Sequence, residues 1–197
     1  NTASLNQAAA YGTVTEKIAS DNENAKASVA NQLQKVAEAT GSGDSVTVNE
    51  VAQGVTVSLA SDVLFQSGTA SLKPGAAKIL QQIATPLKNL SNPIEIIGNT
   101  DDVPPAATNS AFKDNWQLGQ ARAVSVLHSF VDQQKFPEER LSAWSKGQYA
   151  PIAPNDSPEN RARNRRVDLL ILFPEGQPPA GVQLPGQPAP ASPAASR

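Results

Sequence analysis

Cysteine is absent from all 197 residues, which excludes disulfides and thiolate metal sites. Methionine is absent too, and the chain opens on Asn1, so an excised or processed piece of a longer protein is expected. Long apolar runs are missing: none approaches the roughly 18 to 20 residues that span a membrane. No secretory signal is recognisable, so any anchor or targeting segment is expected to lie outside this sequence. An excess of either charge is also missing. Sixteen basic against eighteen acidic residues give a formal charge of −2. That balance argues against a nucleic-acid or anionic-membrane footprint, which needs a concentrated basic field. Histidine occurs once, at position 128, with no second ligand at metal-binding spacing.

The chain is long enough for one domain with appendages. Residues 1 to 12 are polar and Ala-rich and are expected to be loose. Val14, Ile18, Ala25, Val29, Leu33 and Val36 then follow a helical spacing, interrupted by the polar run Asp21 to Asn24 and closed by Gly41 and Gly43. The segment VTVNEVAQGVTVSL (46 to 59) reads as two alternating strands around a Gln53-Gly54 turn. Ser71 to Pro74 reads as a helix entrance, with Ala77, Leu80, Ile83, Ala84 and Leu87 as the buried stripe behind it. The plan then repeats: a strand over 94 to 98, a long loop over 99 to 116, and a helix from about Gly119 to Gln134. A strand near Leu141 to Lys146 and a loop rich in Pro, Asn and Asp lead to RRVDLLILF (165 to 173), which has the apolar character of a central strand. After Phe173, seven of the chain's sixteen prolines crowd into the last 24 residues. That composition predicts a disordered tail over 174 to 197.

Two features invite chemistry. The strand IEIIGN runs straight into Thr100, Asp101 and Asp102 and is then stiffened by Pro104 and Pro105. Turn residues explain the loop as a solvated bend, whereas a carboxylate held at a strand end also suits ligand binding. On the following helix, Ala123, Val124, Leu127, Phe130 and Val131 share one face, and Arg122 falls away from its centre. An arginine near a helix start opposes the dipole. Spacing alone favours an exposed arginine held by a surface acid; the functional alternative is a guanidinium kept to fork a ligand carboxylate. With an Asp for the ligand's ammonium, such a pair would read a zwitterion. A metal hydrolase assembled from Asp101, Asp102, His128 and Glu159 lacks ligand spacing, and no phosphate loop or nucleophile elbow is present. The reading is a non-catalytic chain without cofactor or metal.

GNTDDVPP, NWQLGQARAVSVL and ENRARNRRVDLLI together resemble the OmpA-like peptidoglycan-binding domain, and LFQSGTASLKPGA resembles its first strand-to-helix segment. The resemblance covers residues 46 to 173. It implies an α/β chain of the α+β sandwich kind, a mixed β-sheet with helices on one face, preceded by a linker and helix over 1 to 45. The TDDVPP loop, ending in Asn115-Trp116, is similar to that of the flagellar stator B subunits (the MotB, PomB and MotD type). That likeness implies that Asp101 and Arg122 grip the diaminopimelate of the peptidoglycan stem peptide. It also implies that Thr100, Asn115 and Leu118 line the pocket, that Asn164 and Arg165 border it, and that Arg166 braces the fold. By the same resemblance the protein would be periplasmic and dimeric. It would be joined to a stator A subunit through an inner-membrane span absent here. A general OmpA- or Pal-like envelope anchor unconnected with motility is the alternative. Two positions depart from the pattern: Asn99 where His is common, and Gly119 where Ser is usual, a change expected to cost little near a helix N-cap.

Overall fold

The computed structural model describes residues 2–41, 43–105 and 111–174. The tail expected to be disordered lies outside these residues from 175 onward. A long helix α1 (Thr2–Ala39) leads into the hairpin β1 (Val46–Val51) and β2 (Gly54–Ala60), followed by a single turn α2 (Ser61–Leu64) and the helix α3 (Ala76–Leu87). Next come β3 (Ile94–Asn99), α4 (Asn115–His128), β4 (Leu141–Gly147), α5 (Pro158–Asn164) and β5 (Arg166–Leu172). The five strands form one sheet in the order β1-β2-β5-β3-β4. Every neighbouring pair is antiparallel except β3 with β4. β5 sits at the centre, as its apolar run predicts.

Helices α1, α3 and α4 cover one face of this sheet. Val55, Val57, Leu59, Ile94, Ile96, Val167, Leu169 and Ile171 meet Leu33, Leu80, Ile83, Leu87, Val126 and Phe130 in a continuous core. Each fully buried aliphatic or Phe side chain there contributes about 1.5–3 kcal/mol of transfer free energy. The opposite face is polar at its centre. Ser58 and Arg166 both donate to one Asp168 oxygen, at 2.6 and 3.1 Å, and Asn99 donates to the other at 2.9 Å.

Several local expectations shift. The first residues are helical from Thr2 rather than loose, and the polar run at 21 to 24 does not break α1. Of the predicted stripe, Ile18, Val29 and Leu33 are buried, Ala25 and Val36 are half-buried, and the Val14 side chain lies outside the description. Lys26 joins that stripe, its ammonium 2.9 Å from Glu23. In α3 the buried position is Ala76, with Ala77 only half-buried. α4 begins at Asn115 because Asp114, in extended backbone, accepts a hydrogen bond from the Gln117 amide at 2.9 Å. The loop before the last strand carries the helix α5, opened by Ser157, which accepts from the Asn160 amide at 3.1 Å, and by Pro158.

Candidate functional site

Strand polarity builds the site. β3 ends at Asn99, which pairs with Arg166, the first residue of β5, while Ala60 at the end of β2 pairs with the same Arg166 from the other side. The residues just beyond these three ends therefore converge. Asp101 follows β3, Arg165 precedes β5, and Asp62 lies in α2, immediately after β2. The Ser61 amide donates to the Arg165 carbonyl at 2.8 Å and fixes that junction. The Arg165 guanidinium then spans two carboxylates, donating to Asp101 at 2.9 Å and to Asp62 at 3.2 Å.

Asp101 is buried, and its second oxygen accepts from the Val103 amide at 3.1 Å. Thr100 is buried beside it: its amide donates to the Gly147 carbonyl at 2.9 Å, and its hydroxyl to the Asp101 carbonyl at 2.8 Å. Asn115, from the first turn of α4, donates to the same Asp101 carbonyl at 3.1 Å and to the Gln148 side chain at 3.0 Å. Its carbonyl oxygen is buried with no protein partner. Orphaned buried acceptors are rare, and a donor arriving with a ligand or water would satisfy this one. Asp102 is exposed.

Arg122 is not off the buried face. Only 4% of it is exposed, on a stripe shared with Leu118, Gly119, Ala123 and Val126. A helical wheel of α4 alone misses this, because the covering surface comes from elsewhere: the loop following Phe65. The Thr69 carbonyl accepts from Arg122 Nε at 3.0 Å, Ser61 Oγ lies 3.5 Å from its Nη1, and the Phe65 ring lies 5.4 Å from the guanidinium carbon. Ser125 ties the same loop down by donating to the Ala70 carbonyl at 2.8 Å.

The electrostatics form one unit of two arginines and two aspartates. Burial and then repulsion from Arg165 lower the Arg122 pKa, partly offset by Asp62 and Asp101. For Arg165, burial also acts downward, but its hydrogen bonds to Asp101 and Asp62 outweigh it and the net shift is upward. The cluster is thus formally neutral overall, with both signs presented at one strand-end pole.

Among the remaining expected residues, Leu118 is buried in the first part of α4. Asn164 is fully buried, and its amide is engaged by the loop before α5. It accepts from the Ile152 and Ala153 amides at 2.8 and 3.0 Å and donates to the Ala153 carbonyl at 2.8 Å. It therefore sits next to the site in sequence while its side chain holds a loop. Arg166 donates to Asp168 at 3.1 Å and to the carbonyls of Asn164 and Ala150 at 3.3 and 3.1 Å. Asp62, Phe65, Thr69 and Gln148 belong to the site and were not singled out from sequence. For Asp62 the signal was its place two residues beyond a strand end, just ahead of the VLFQSG run. His128 is exposed and 3.8 Å from Asp132. Among the described residues no three His, Cys, Asp or Glu side chains are grouped to hold a metal, and no helix is long and apolar enough to cross a membrane.

Residues 64–165 match the family model described as the OmpA family, and they contain α4, α5 and the strand-end acid. The chain belongs to the OmpA family. Motility protein B of Bacillus subtilis is 33% identical over 121 residues, covering 61% of this chain and 46% of that protein. The chain thus spans about half the length of that curated relative. Among solved structures, a putative MotB-like protein from Desulfovibrio vulgaris superposes with a TM-score of 0.67 at 34% identity, over 76% of this chain and 91% of the other. The cell wall anchor of the T6SS from Pseudomonas aeruginosa gives 0.64 at 28% identity, over 71% and 96%. The periplasmic domain of Helicobacter pylori MotB gives 0.60 at 30% identity, over 67% and 82%. The mixed sheet with helices on one face, expected from the resemblance, is the fold this chain shares with these solved structures.

Proposed function

We propose that this chain is the periplasmic, non-catalytic part of a flagellar stator B subunit and that it anchors the motor to peptidoglycan. The observation that carries this reading is the Asp62–Arg165–Asp101 bridge, made formally neutral by Arg122 behind it, at the strand-end pole. Diaminopimelate in a stem peptide offers an ammonium and a carboxylate on one carbon. Asp101 takes the ammonium; the arginines take the carboxylate, for which a planar fork is suited. Arg165, with 30% of its side chain exposed, is the accessible cation, and Arg122 is the buried one behind it. Asp101 is already held by Arg165, so binding exchanges that bond: Arg165 keeps Asp62 as partner while the ligand's ammonium replaces it at Asp101. Thr100 and Asn115 hold the Asp101 backbone still, and the orphaned Asn115 oxygen supplies an acceptor.

The test is co-sedimentation with purified sacculi. Wild type pellets with them, and Asp101→Ala pellets at least fivefold less; equal pelleting of the two would remove Asp101 from the site. The likeness to a T6SS cell wall anchor supports a second reading, an envelope anchor unconnected with motility. A full-length gene opening with one membrane span that carries an Asp supports the stator; a lipidated cysteine start supports the alternative. In the stator reading the chain pairs with a second copy and, through that span in the inner membrane, with a stator A subunit. Sedimentation equilibrium that returns a monomer throughout the micromolar range would remove the homodimer.

A further inference from the structure

We propose that an aromatic ledge beside the charged site, built on Trp116 and Tyr149, is a second subsite that stacks the sugar rings of the glycan strand. This rests on the peptidoglycan reading above and extends it from the stem peptide to the saccharide. Trp116 is 49% exposed and Tyr149 69%, and their rings lie 5.4 Å apart at a tilt of 31°. Large exposed aromatics grouped in this way mark interaction surfaces rather than ordinary surface composition. Trp116, with Tyr149 beside it, opens onto a shallow groove of about 650 Å³ between the outer side of α4 and the edge strand β4, lined also by Phe112, Gln117, Gln120, Val124 and Trp144. That volume falls within the usual range of ligand clefts.

The chemistry of this lining selects among the parts of one polymer. No charged side chain lines the groove. The zwitterionic end of a stem peptide is matched by the four ionised residues around Asp101, whereas here the Lys146 ammonium, 5.2 Å from the Trp144 ring, has no carboxylate beside it in the lining. A β-1,4-linked amino sugar is the reverse, neutral, with apolar C–H faces on its rings and hydroxyl and acetamido groups at their edges. Indole and phenol faces suit the C–H faces, and the Gln117 and Gln120 amides are placed for the edges. The two subsites are also tied together covalently and by one hydrogen bond. Asn115 donates to Gln148 at 3.0 Å, and the next residue after each is Trp116 and Tyr149, respectively. A ligand that fixes Asn115 from the charged side therefore fixes the ledge, as a strand with its attached peptide would require.

The experiment uses the whole chain with three probes: chitotetraose read by saturation-transfer NMR, glycan strands stripped of peptide read by co-sedimentation, and free diaminopimelate read by calorimetry. Trp116→Ala and Tyr149→Ala change exposed side chains. The expected result is at least a fivefold loss of strand and chitotetraose binding in either variant, with diaminopimelate binding unchanged. Asp101→Ala should give the converse. Strand binding equal to wild type in the Trp116→Ala/Tyr149→Ala double variant overturns the ledge. So does a change in oligomeric state in that variant without loss of strand binding, which would make the ledge a protein interface. Loss of strand binding in the ledge variants, with Asp101→Ala still binding diaminopimelate, would retain the ledge and reject the charged site.

Discussion

Arg165 donates to Asp101 at 2.9 Å across 64 residues of sequence, and the same guanidinium reaches Asp62 at 3.2 Å. One cation thus locks together the ends of three strands while occupying the acid that the ligand needs. Asp62 is the partner to which Arg165 retreats. Asp62→Ala should weaken diaminopimelate binding about three- to tenfold, because Asp101 then remains the only anion for Arg165. The Asp62 carboxylate is mostly exposed, so the stability change should stay below about 1 kcal/mol. Calorimetric titration with thermal melts checks both, and tighter binding in this variant would show that Asp62 competes for the ligand instead.

Asp101 and Asp102 are adjacent but differ in burial, and only Asp101 meets Arg165. Asp101→Ala should weaken sacculus binding at least fivefold, and Asp102→Ala should leave most of it. The reverse order in the same pull-down would assign the site to the wrong acid.

Arg122, a residue of the proposed site, also holds the fold together. Its guanidinium holds the Thr69 carbonyl and lies near the Phe65 ring, so Arg122→Ala frees a loop and opens a void. A loss of roughly 1–3 kcal/mol is expected, along with the loss of binding. Arg122→Lys keeps the charge but not the fork, and should recover part of the stability and little of the affinity. A melting temperature unchanged in Arg122→Ala would contradict the packing described here.

Two glycines set how closely α4 lies on β3. A Cβ at Gly98 would fall 1.9 Å from the Gly119 carbonyl oxygen, and one at Gly119 would fall 2.3 Å from Ser145 Oγ. Gly119 is therefore a close-packing position and not a tolerant cap. Gly98→Ala must push backbone from backbone and should cost more than about 3 kcal/mol, the upper end of usual overpacking. Gly119→Ala, which meets a small side chain first, should cost about 1–3 kcal/mol. Chemical denaturation ranks them, and a milder Gly98→Ala would refute this account.

The buried half of α1 is part of the core of its own domain, since Val29, Leu33 and Ala37 pack with the sheet and α3. A form starting at Gly41 should lose most of its cooperative unfolding. One starting near Asn24 should keep its melting temperature within a few degrees. Calorimetry of both decides whether α1 is integral or an appendage.

The strands and the central place of β5 were legible because periodicity and apolar runs are local signals. The strand-end acid was legible for the same reason. Arg122 was misplaced because its cover comes from residues 53 to 61 positions away, which no helical wheel includes. Asn164 reads as a site residue from its neighbours, yet its amide turns into the loop from Ile152 to Asn155. Gly119 looked neutral because the contact that needs it comes from β4.

β5 begins beside Asp101 and runs to the opposite end of the sheet, where the Phe173 amide just beyond it meets the Gln53 carbonyl. Seven strand residues separate those two ends, about 23 Å of extended chain. Anything tethered beyond Pro174 thus departs from the pole facing away from the proposed ligand. A biosensor chip or a force-spectroscopy handle attached there would hold the molecule with its recognition pole toward the solution. Pulling from that handle against a captured sacculus would load β5 along its length, between two antiparallel neighbours, in the shearing direction in which a sheet resists best.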